Sequence, residues 1–432
     1  MRSPRRTLLA VFAILFVVPL ATGQRTAHAQ IKADADMHKK YSAARDFLER
    51  HTKVIELTSD NGQRVTICPD LQGRVMTSTL AGEDGSSLGW INYDFIESGK
   101  QAASFNNYGG EDRFWLGPEG GQFALWFKLE EKQIVRNWFT PAALNTGAFK
   151  VESHDSDSCR MARRVRVTNA SEYTFDLDVE RTARLLDVKQ FESFFGAAAA
   201  DELRPKQSSS KAPGYVGFET VNSAKNVGPL AWDLNSGLVS IWSLGQFPGG
   251  DQTVIILPYK AGSEQELGPA VQSDYFGEVP ASRLKVTPSA VLFRADGQYR
   301  AKLGVTQTRA LPYAGSLDLR IGVLTLVHFT MPEKPTEHHY VNNTWQLRQK
   351  NAYSGDVFNT YNDGPAEPGA KAMGGFYELE SLGPTRPLAV GETISHTHRT
   401  FHIQAESAVL ARLLKATLQV DIADLQKFLA TP

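Results

Sequence analysis

Most of the chain is a series of short segments in which apolar and polar residues alternate, with no amphipathic helix between them. These segments run from residue 54 to residue 404 and are separated by turn-forming pairs such as Asp296-Gly297. A period of two is typical of strands with one buried face, whereas parallel β units need intervening helices. The pattern therefore predicts a mainly β fold, a large antiparallel sandwich. Helical spacing occurs only at residues 34–51 and 405–430.

The first 29 residues have the pattern of a secretory signal peptide. Three arginines precede residue 7, an apolar run follows over residues 8–20, and Ala-His-Ala at 27–29 matches a small-x-small cleavage site. The apolar run is too short for a comfortable membrane span. We therefore expect a mature protein that begins near Gln30, is periplasmic or extracellular, and does not insert into the membrane after the signal is cleaved.

Composition limits the class of protein. With 42% hydrophobic and 22% charged residues the sequence is typical of a folded globular protein. A net charge of −1 gives no electrostatic case for binding nucleic acid.

We expect an N-terminal helical segment over residues 30–53, one large β domain over 54–404 and a C-terminal helical segment over 405–432. The polar run 206–213 predicts a surface loop that is too short to separate domains.

The two cysteines, Cys68 and Cys159, are too few to form a disulfide scaffold. Each lies in a strand-like run. In an oxidising compartment they could pair, or both could be buried free thiols, and the sequence leaves these alternatives open.

The segment 106–121, NNYGGEDRFWLGPEGG, is the strongest candidate for a functional site. It places acids, an arginine and a tryptophan between two glycine pairs, a mixture typical of a pocket that orients a polar small molecule. A planar guanidinium can hold neighbouring oxygens, carboxylates can accept hydroxyl protons, and an indole can offer an apolar face to a sugar ring. The alternative is an exposed hairpin with solvated charges. The candidate residues are Asn107, Glu111, Asp112, Arg113, Trp115 and Glu119.

Later segments supply further candidates. Glu378 and Glu380 stand two apart in a strand-like run, so both carboxylates point the same way. Like charges at that spacing raise one pKa, as acid/base chemistry requires. Lys302 lies on the strand that follows a hairpin turn, and Glu219 lies in a glycine- and aromatic-rich run. The alternatives are an exposed strand face for the two acids and simple ion pairing for the lysine.

Three histidines, His396, His398 and His402, share one face of a late strand-like run. Successive residues on one face are about 6.5–7 Å apart, so at most a neighbouring pair could share an ion without bending. We therefore expect no metal site, and we take His398 as a residue that lines the substrate site. We also expect no cofactor, because no phosphate-binding glycine loop, nucleophile elbow or HExxH helix occurs.

Several of these segments also carry a resemblance to a known family. They include NNYGGEDRFWLGPEGG, GLVSIWSLGQF, DYFGEVPASRLKV, FRADGQYRAKLG and GGFYELESLGPTRPLAVGETISHTHRT. They resemble an uncharacterised family of secreted bacterial proteins that is similar to the galactose mutarotase-like (aldose 1-epimerase-like) superfamily, over roughly residues 54–403. The resemblance implies an antiparallel β-supersandwich with short N- and C-terminal helices and a concave sheet that holds a sugar.

The same resemblance implies roles for particular residues. In aldose epimerases a carboxylate on a late strand takes the anomeric proton, a histidine serves the ring oxygen, and an early Asn-Arg pair holds hydroxyls. Glu378 or Glu380 would match the late carboxylate, and Asn107 with Arg113 the early pair. The central histidine motif of those enzymes is not matched in this sequence.

Together these observations predict a secreted protein that binds a saccharide or glycan in a concave cleft, where segment 106–121 meets the late FYELE strand. If it is an enzyme, we expect sugar epimerisation or glycoside cleavage by carboxylates. The alternative is a non-catalytic carbohydrate-binding protein, whose cleft acids would be closed in salt bridges, or a cell-envelope protein with no polar cleft. The catalytic candidates are Glu378, Glu111 and Asp112, and the substrate-binding candidates are Asn107, Arg113, Trp115, Glu119, Glu219, Lys302, Glu380 and His398.

Overall fold

The computed structural model describes residues 39–204 and 213–431. The predicted signal peptide and residues 206–212 of the predicted surface loop lie outside these ranges. The strands are β1 Ile55–Thr58, β2 Arg64–Cys68, β3 Arg74–Thr79, β4 Arg113–Gly117, β5 Lys150–His154, β6 Ser158–Thr168, β7 Thr174–Leu185, β8 Gly214–Asn226, β9 Ser240–Pro248, β10 Thr253–Pro258, β11 Leu284–Val286, β12 Ala290–Arg294, β13 Ala301–Thr306, β14 Tyr313–Asp318, β15 Val323–Phe329, β16 Asp356–Asn362, β17 Phe376–Leu382 and β18 Thr393–Gln404. The α-helices are α1 Tyr41–His51, α2 Tyr93–Glu97, α3 Ala142–Asn145, α4 Val188–Phe195, α5 Ala197–Leu203, α6 Glu264–Leu267, α7 Ser407–Leu418 and α8 Ile422–Leu429.

The strands form three antiparallel sheets. A ten-stranded sheet has the order β11-β12-β10-β14-β15-β18-β8-β7-β6-β5, and a five-stranded sheet has the order β13-β16-β17-β9-β4. β1, β2 and β3 form a third, three-stranded sheet. The prediction of a mainly antiparallel β sandwich with short helices near both ends is confirmed.

The main core lies between the five-stranded and ten-stranded sheets. Side chains of β9 and β17 that point inward, such as Phe247 and Leu379, join the same buried cluster as Ile255 and Val327 of the larger sheet. Because side chains alternate along a strand, the other faces of β9 and β17 point away from this core. The polar residues that alternate with these core residues are therefore gathered on one outer face.

Helices cover the opposite face of the ten-stranded sheet. Phe401 and Leu326 of that face lie in a second buried cluster with Phe191 of α4 and Leu413 of α7. α4 and α5 were not predicted from the sequence, although the sequence contains a local signal for the start of α4. Asp187 and Gln190 form a reciprocal capping box at the start of α4.

Two segments that look like strands in the sequence are not strands. Residues 123–129 and 136–144 form turns and short helical pieces. Ala124, Leu125 and Trp126 are consecutive and all buried, which a turn allows and a strand with one buried face does not.

The first helix packs against the small sheet, which also carries Cys68, whereas Cys159 lies on β6 of the ten-stranded sheet. α1 buries Ala44 and Leu48 against Cys68 and Met76. Cys68 and Cys159 are both buried free thiols, which is one of the two alternatives that the sequence left open. Among the described residues, no helix combines the length and the apolar character needed to cross a bilayer.

Candidate functional site

A cavity of about 190 Å³ lies on the outer face of the five-stranded sheet. The strand register explains its floor, because Arg113 of β4 pairs with Leu244 of β9, and Leu244 pairs with Glu380 of β17. Residues paired in this way share a face of the sheet. The cavity is lined by Phe105, Arg113, Trp115, Glu119, Val135, Trp138, Trp242, Leu244, Phe276, Arg300, Lys302, Trp345, Tyr361, Gly364, Ala366, Lys371, Met373, Glu378 and Glu380.

The early polar segment and the late FYELE strand meet in this cavity, as the sequence predicted. Arg113 Nη2 donates a hydrogen bond of 2.9 Å to Glu378 Oε1, across 265 positions of the chain. Both side chains are almost completely buried, at 3% and 8% exposed. An ion pair with so little solvent is held tightly, because neither charge can be satisfied by water instead.

Each carboxyl group of the cavity has a partner. Glu119 accepts hydrogen bonds from Trp138 Nε1 at 2.9 Å and from Lys302 Nζ at 3.2 Å. Glu380 Oε2 accepts one from Trp242 Nε1 at 3.1 Å and lies 3.7 Å from Lys302 Nζ. Lys302 therefore bridges two of the three acids in the cavity.

Burial and neighbouring charges shift the pKa values of Glu380 and Lys302. Burial has the larger effect on Glu380. It raises the pKa of Glu380 to about 8, and the nearby Glu378 carboxyl adds to this rise while Lys302 opposes it. Burial and the neighbouring carboxyl therefore favour the protonated form of Glu380 at neutral pH. Burial opposes the charge on Lys302, but the nearby acids, Glu119 first, outweigh it, so the pKa of Lys302 is raised.

Aromatic rings form much of the cavity wall. Trp138, Phe276 and Trp345 are half-buried and keep part of their surface exposed. Trp115, the ring expected to stack on a sugar, is only 4% exposed, because the Arg113 guanidinium covers it at 4.2 Å from the ring centroid. The rings that a ligand can contact are therefore mainly Trp138, Phe276 and Trp345, which were not predicted from the sequence as site residues.

Two predicted catalytic acids lie outside the cavity, and the expectation for them is corrected. Glu111 accepts hydrogen bonds from the Ser78 backbone N–H at 2.6 Å and Oγ at 2.9 Å, and its Oε2 lies 3.0 Å from His402 Nε2. Asp112 forms an ion pair with Arg181. Both acids are completely buried. β4 begins directly after them, at Arg113. Strand alternation therefore does not apply to their positions, and nothing in the sequence indicated that they point into the interior.

Two predicted binding residues, Asn107 and Glu219, also lie outside the cavity. Asn107 Oδ1 accepts a hydrogen bond of 3.0 Å from Gln246 Nε2 beside the cavity, and is not among its lining residues. Glu219 forms ion pairs with Arg184 and Arg399 on the ten-stranded sheet. These three-way contacts fix the Glu219 carboxylate, so it is a structural group of that sheet.

His398 lies in the interior between the two large sheets. Its Nδ1 contacts Ser381 Oγ at 2.8 Å, and burial lowers the pKa of His398 to about 3. His396 contacts the same hydroxyl through Nε2 at 2.7 Å. The histidine face is therefore neither solvated nor part of the cavity, because β18 is a central strand covered on both sides. In the described part of the chain, no group of three metal-ligating side chains comes together.

The sequence matches the model of a family described as a family of unknown function, DUF6786, over residues 39–429. The chain belongs to the DUF6786 family. No curated protein matches it significantly.

The DUF6786 chain is also similar to solved structures. One is a provisionally named aldose 1-epimerase from Escherichia coli K12, with 12% identity, coverage of 82% of this chain and 99% of that one, and a TM-score of 0.45. Another is a galactose mutarotase related enzyme from Lactobacillus acidophilus, with 9% identity, coverage of 81% and 97%, and a TM-score of 0.42. These names agree with the resemblance predicted from the sequence, but so low an identity and TM-score carry no argument about activity.

Several cavity residues of this DUF6786 chain come from positions that the sequence reading did not select as site residues. Trp138 and Trp345 lie outside strands, and Tyr361 of β16 enters through pairing with Glu378 and Lys302. Arg300 could have been predicted as a site residue from the sequence, because it shares a face with Lys302 two positions later. The two tryptophans had no comparable signal, since loop paths are not encoded in a residue period.

Proposed function

We propose that the cavity binds a saccharide. The supporting observation is that half-buried aromatic rings stand beside paired acids and bases within one cavity. Rings provide apolar contact with the C–H faces of a sugar, while carboxyl, ammonium and guanidinium groups exchange hydrogen bonds with its hydroxyls. At about 190 Å³ the cavity is smaller than the roughly 300 Å³ at which drug-sized ligand pockets begin. It therefore suits a single ring of a larger glycan.

Binding without chemistry is the first form of this proposal. Glu378 is paired with Arg113 and Glu119 with Lys302, which is the closed arrangement expected of a carbohydrate-binding protein.

Acid/base chemistry is the second form, and one observation favours it. Glu380 retains its proton near neutral pH beside the Glu378 carboxyl, so it could act as a proton donor to a sugar oxygen. Glycoside cleavage between Glu378 and Glu111 or Asp112 is not part of the proposal, because those two acids lie in the interior.

A glycan-array and thermal-shift screen tests the proposal. We expect at least one saccharide to bind, and Trp345→Ala to weaken that binding about tenfold, since an aromatic contact is worth roughly 0.5–1.5 kcal/mol beyond its buried area. Trp90→Ala is the matched control, because Trp90 is also half-buried but does not line the cavity. Equal losses in the two variants would contradict the assignment of the cavity.

Product analysis of the bound saccharide separates the two forms. If acid/base chemistry occurs, Glu380→Gln should abolish turnover and retain binding, because glutamine keeps the shape but cannot transfer a proton. An unchanged saccharide after long incubation with wild-type protein would leave only the binding form.

We also propose that the protein is exported. The basic, apolar and small-residue regions within residues 1–29 support this. We expect the N-terminus of the protein recovered from its native cell envelope or medium to lie near Gln30, as measured by intact mass. An intact Met1 there, or retention in the cytoplasm, would contradict export.

A further inference from the structure

The charges of the cavity do not balance. Its lining has three carboxyl groups, on Glu119, Glu378 and Glu380, and four cationic side chains. The contacts described above pair all three carboxyl groups with Arg113 or Lys302. The positive charge that remains belongs to Arg300 and Lys371.

Arg300 is held in place without a carboxylate partner. Its guanidinium carbon lies 3.5 Å from the ring centroid of Phe276 and 5.7 Å from that of Trp345. Its charge also acts on the Tyr361 hydroxyl, where it partly opposes the rise in pKa that burial causes. In residues 39–204 and 213–431, no carboxylate oxygen forms an ion pair with Arg300 or Lys371 within 4 Å. Arg300 is thus a half-buried, oriented cation that lacks a counter-charge.

One acid, Asp363, contacts the Tyr361 hydroxyl, but it already accepts hydrogen bonds from other groups. The Tyr361 hydroxyl lies 3.2 Å from Asp363 Oδ1, and Asp363 Oδ2 accepts hydrogen bonds from the backbone N–H groups of Gly374 and Gly375. Asp363 therefore holds the β16–β17 loop, and within the described ranges it forms no ion pair with Arg300.

Arg113 supplies a second observation of the same kind. Its Nη2 is used by Glu378, but Nε and Nη1 are buried with no hydrogen-bond partner among the described residues. Leaving buried donors unsatisfied is destabilising, more so when the donors belong to a charged group. An acceptor that enters from the cavity would recover part of this cost, provided that the guanidinium shifts slightly toward it.

We propose that the saccharide bound in this cavity is acidic, and that Arg300, assisted by Lys371, binds the carboxylate of a uronic acid unit. The inference rests on the proposed function and names its ligand class. A guanidinium that is fixed on two rings presents its donors in the planar geometry that matches a carboxylate. A neutral sugar would leave the cationic excess of the cavity uncompensated.

The test compares matched sugars on the full chain by isothermal titration. Glucuronic and galacturonic acid, and their short oligosaccharides, are each paired with the neutral glucose or galactose form. We expect the acidic member to bind at least about tenfold more tightly in low salt, because a charge-assisted hydrogen bond is roughly twice as strong as a neutral one. The preference should fall as salt increases, because salt screens the charges. Arg300→Gln should reduce the preference to less than about threefold, because the substitution weakens binding of the acidic member more than binding of the neutral member.

Two further variants complete the design. Lys371→Gln, at an exposed position that should not affect folding, is expected to reduce the preference partially and serves if Arg300→Gln fails to fold. Arg166→Gln is the matched control, because Arg166 is exposed on β6 of the other large sheet. It should leave the preference unchanged.

The possible results are distinguishable. Equal or weaker binding of the acidic member would overturn this inference while leaving saccharide binding intact. Tighter binding of glucose 6-phosphate than of glucuronic acid would overturn the choice of a carboxylate. If no acidic or neutral saccharide binds, the proposed function itself fails and this inference fails with it.

Discussion

Replacement of Arg181 with methionine is expected to lower the free energy of unfolding by about 3–5 kcal/mol. Arg181 and Asp112 are both completely buried and form an ion pair. Arg181 also donates to the Gly73 backbone oxygen at 2.9 Å and to Asn222 Oδ1 at 2.6 Å. Removal of the guanidinium leaves the Asp112 charge buried without its ion-pair partner, with Thr220 still donating a hydrogen bond to it. This is far costlier than the loss of a surface pair. Urea denaturation measures the change.

Arg164→Met is the matched control for this result. Arg164 also pairs with aspartates, Asp176 and Asp178, but on the exposed face of β6 and β7. Exposed pairs are screened by water and salt, so the control should change stability little. If the two variants lose equal stability, Asp112 is not a structural acid of the interior, and its removal from the list of catalytic candidates would have to be reconsidered.

Glu380→Gln is expected to change how stability depends on pH. The folded pKa of Glu380 is about 8 against a reference value of 4.5. Between these values the unfolded chain has lost this proton while the folded protein keeps it, so the wild type loses stability as pH rises. A shift of this size corresponds to a total loss on the order of 4 kcal/mol by pH 9. Glutamine cannot ionise, so the variant should match the wild type at pH 5 and be more stable at pH 9.

Urea denaturation of both proteins at several pH values between 5 and 9 measures this difference. Other groups titrate in the same range, and the comparison of variant with wild type cancels their contribution if they are independent. Glu333→Gln, an exposed position, is the matched control and should follow the wild type at each pH. A constant difference between Glu380→Gln and the wild type across the range would mean that Glu380 is ionised throughout, and would remove the observation that favours acid/base chemistry.

The sequence was sufficient wherever a local period decided the structure. Alternation along β17 places Glu378 and Glu380 on one face, and the same rule places Lys302 beside Arg300. The rule fails at the boundaries of elements. Glu111 and Asp112 precede β4 by two positions and one position, where no period applies, and they turn into the interior. The capping box of α4 was a readable local signal that was missed among long runs of strands.

By itself, the sequence determined the antiparallel β class, the helices near the two ends and the presence of an early and a late polar segment. Only the tertiary structure decided which charges face one another. The pairing of β4, β9 and β17 brings Arg113 to Glu378, and the loops bring Trp138 and Trp345 over the same floor. The physical reason is that a residue period specifies which face of a strand is buried, whereas the neighbour across a sheet depends on strand order and register over hundreds of residues. The charge balance of the cavity follows from that order.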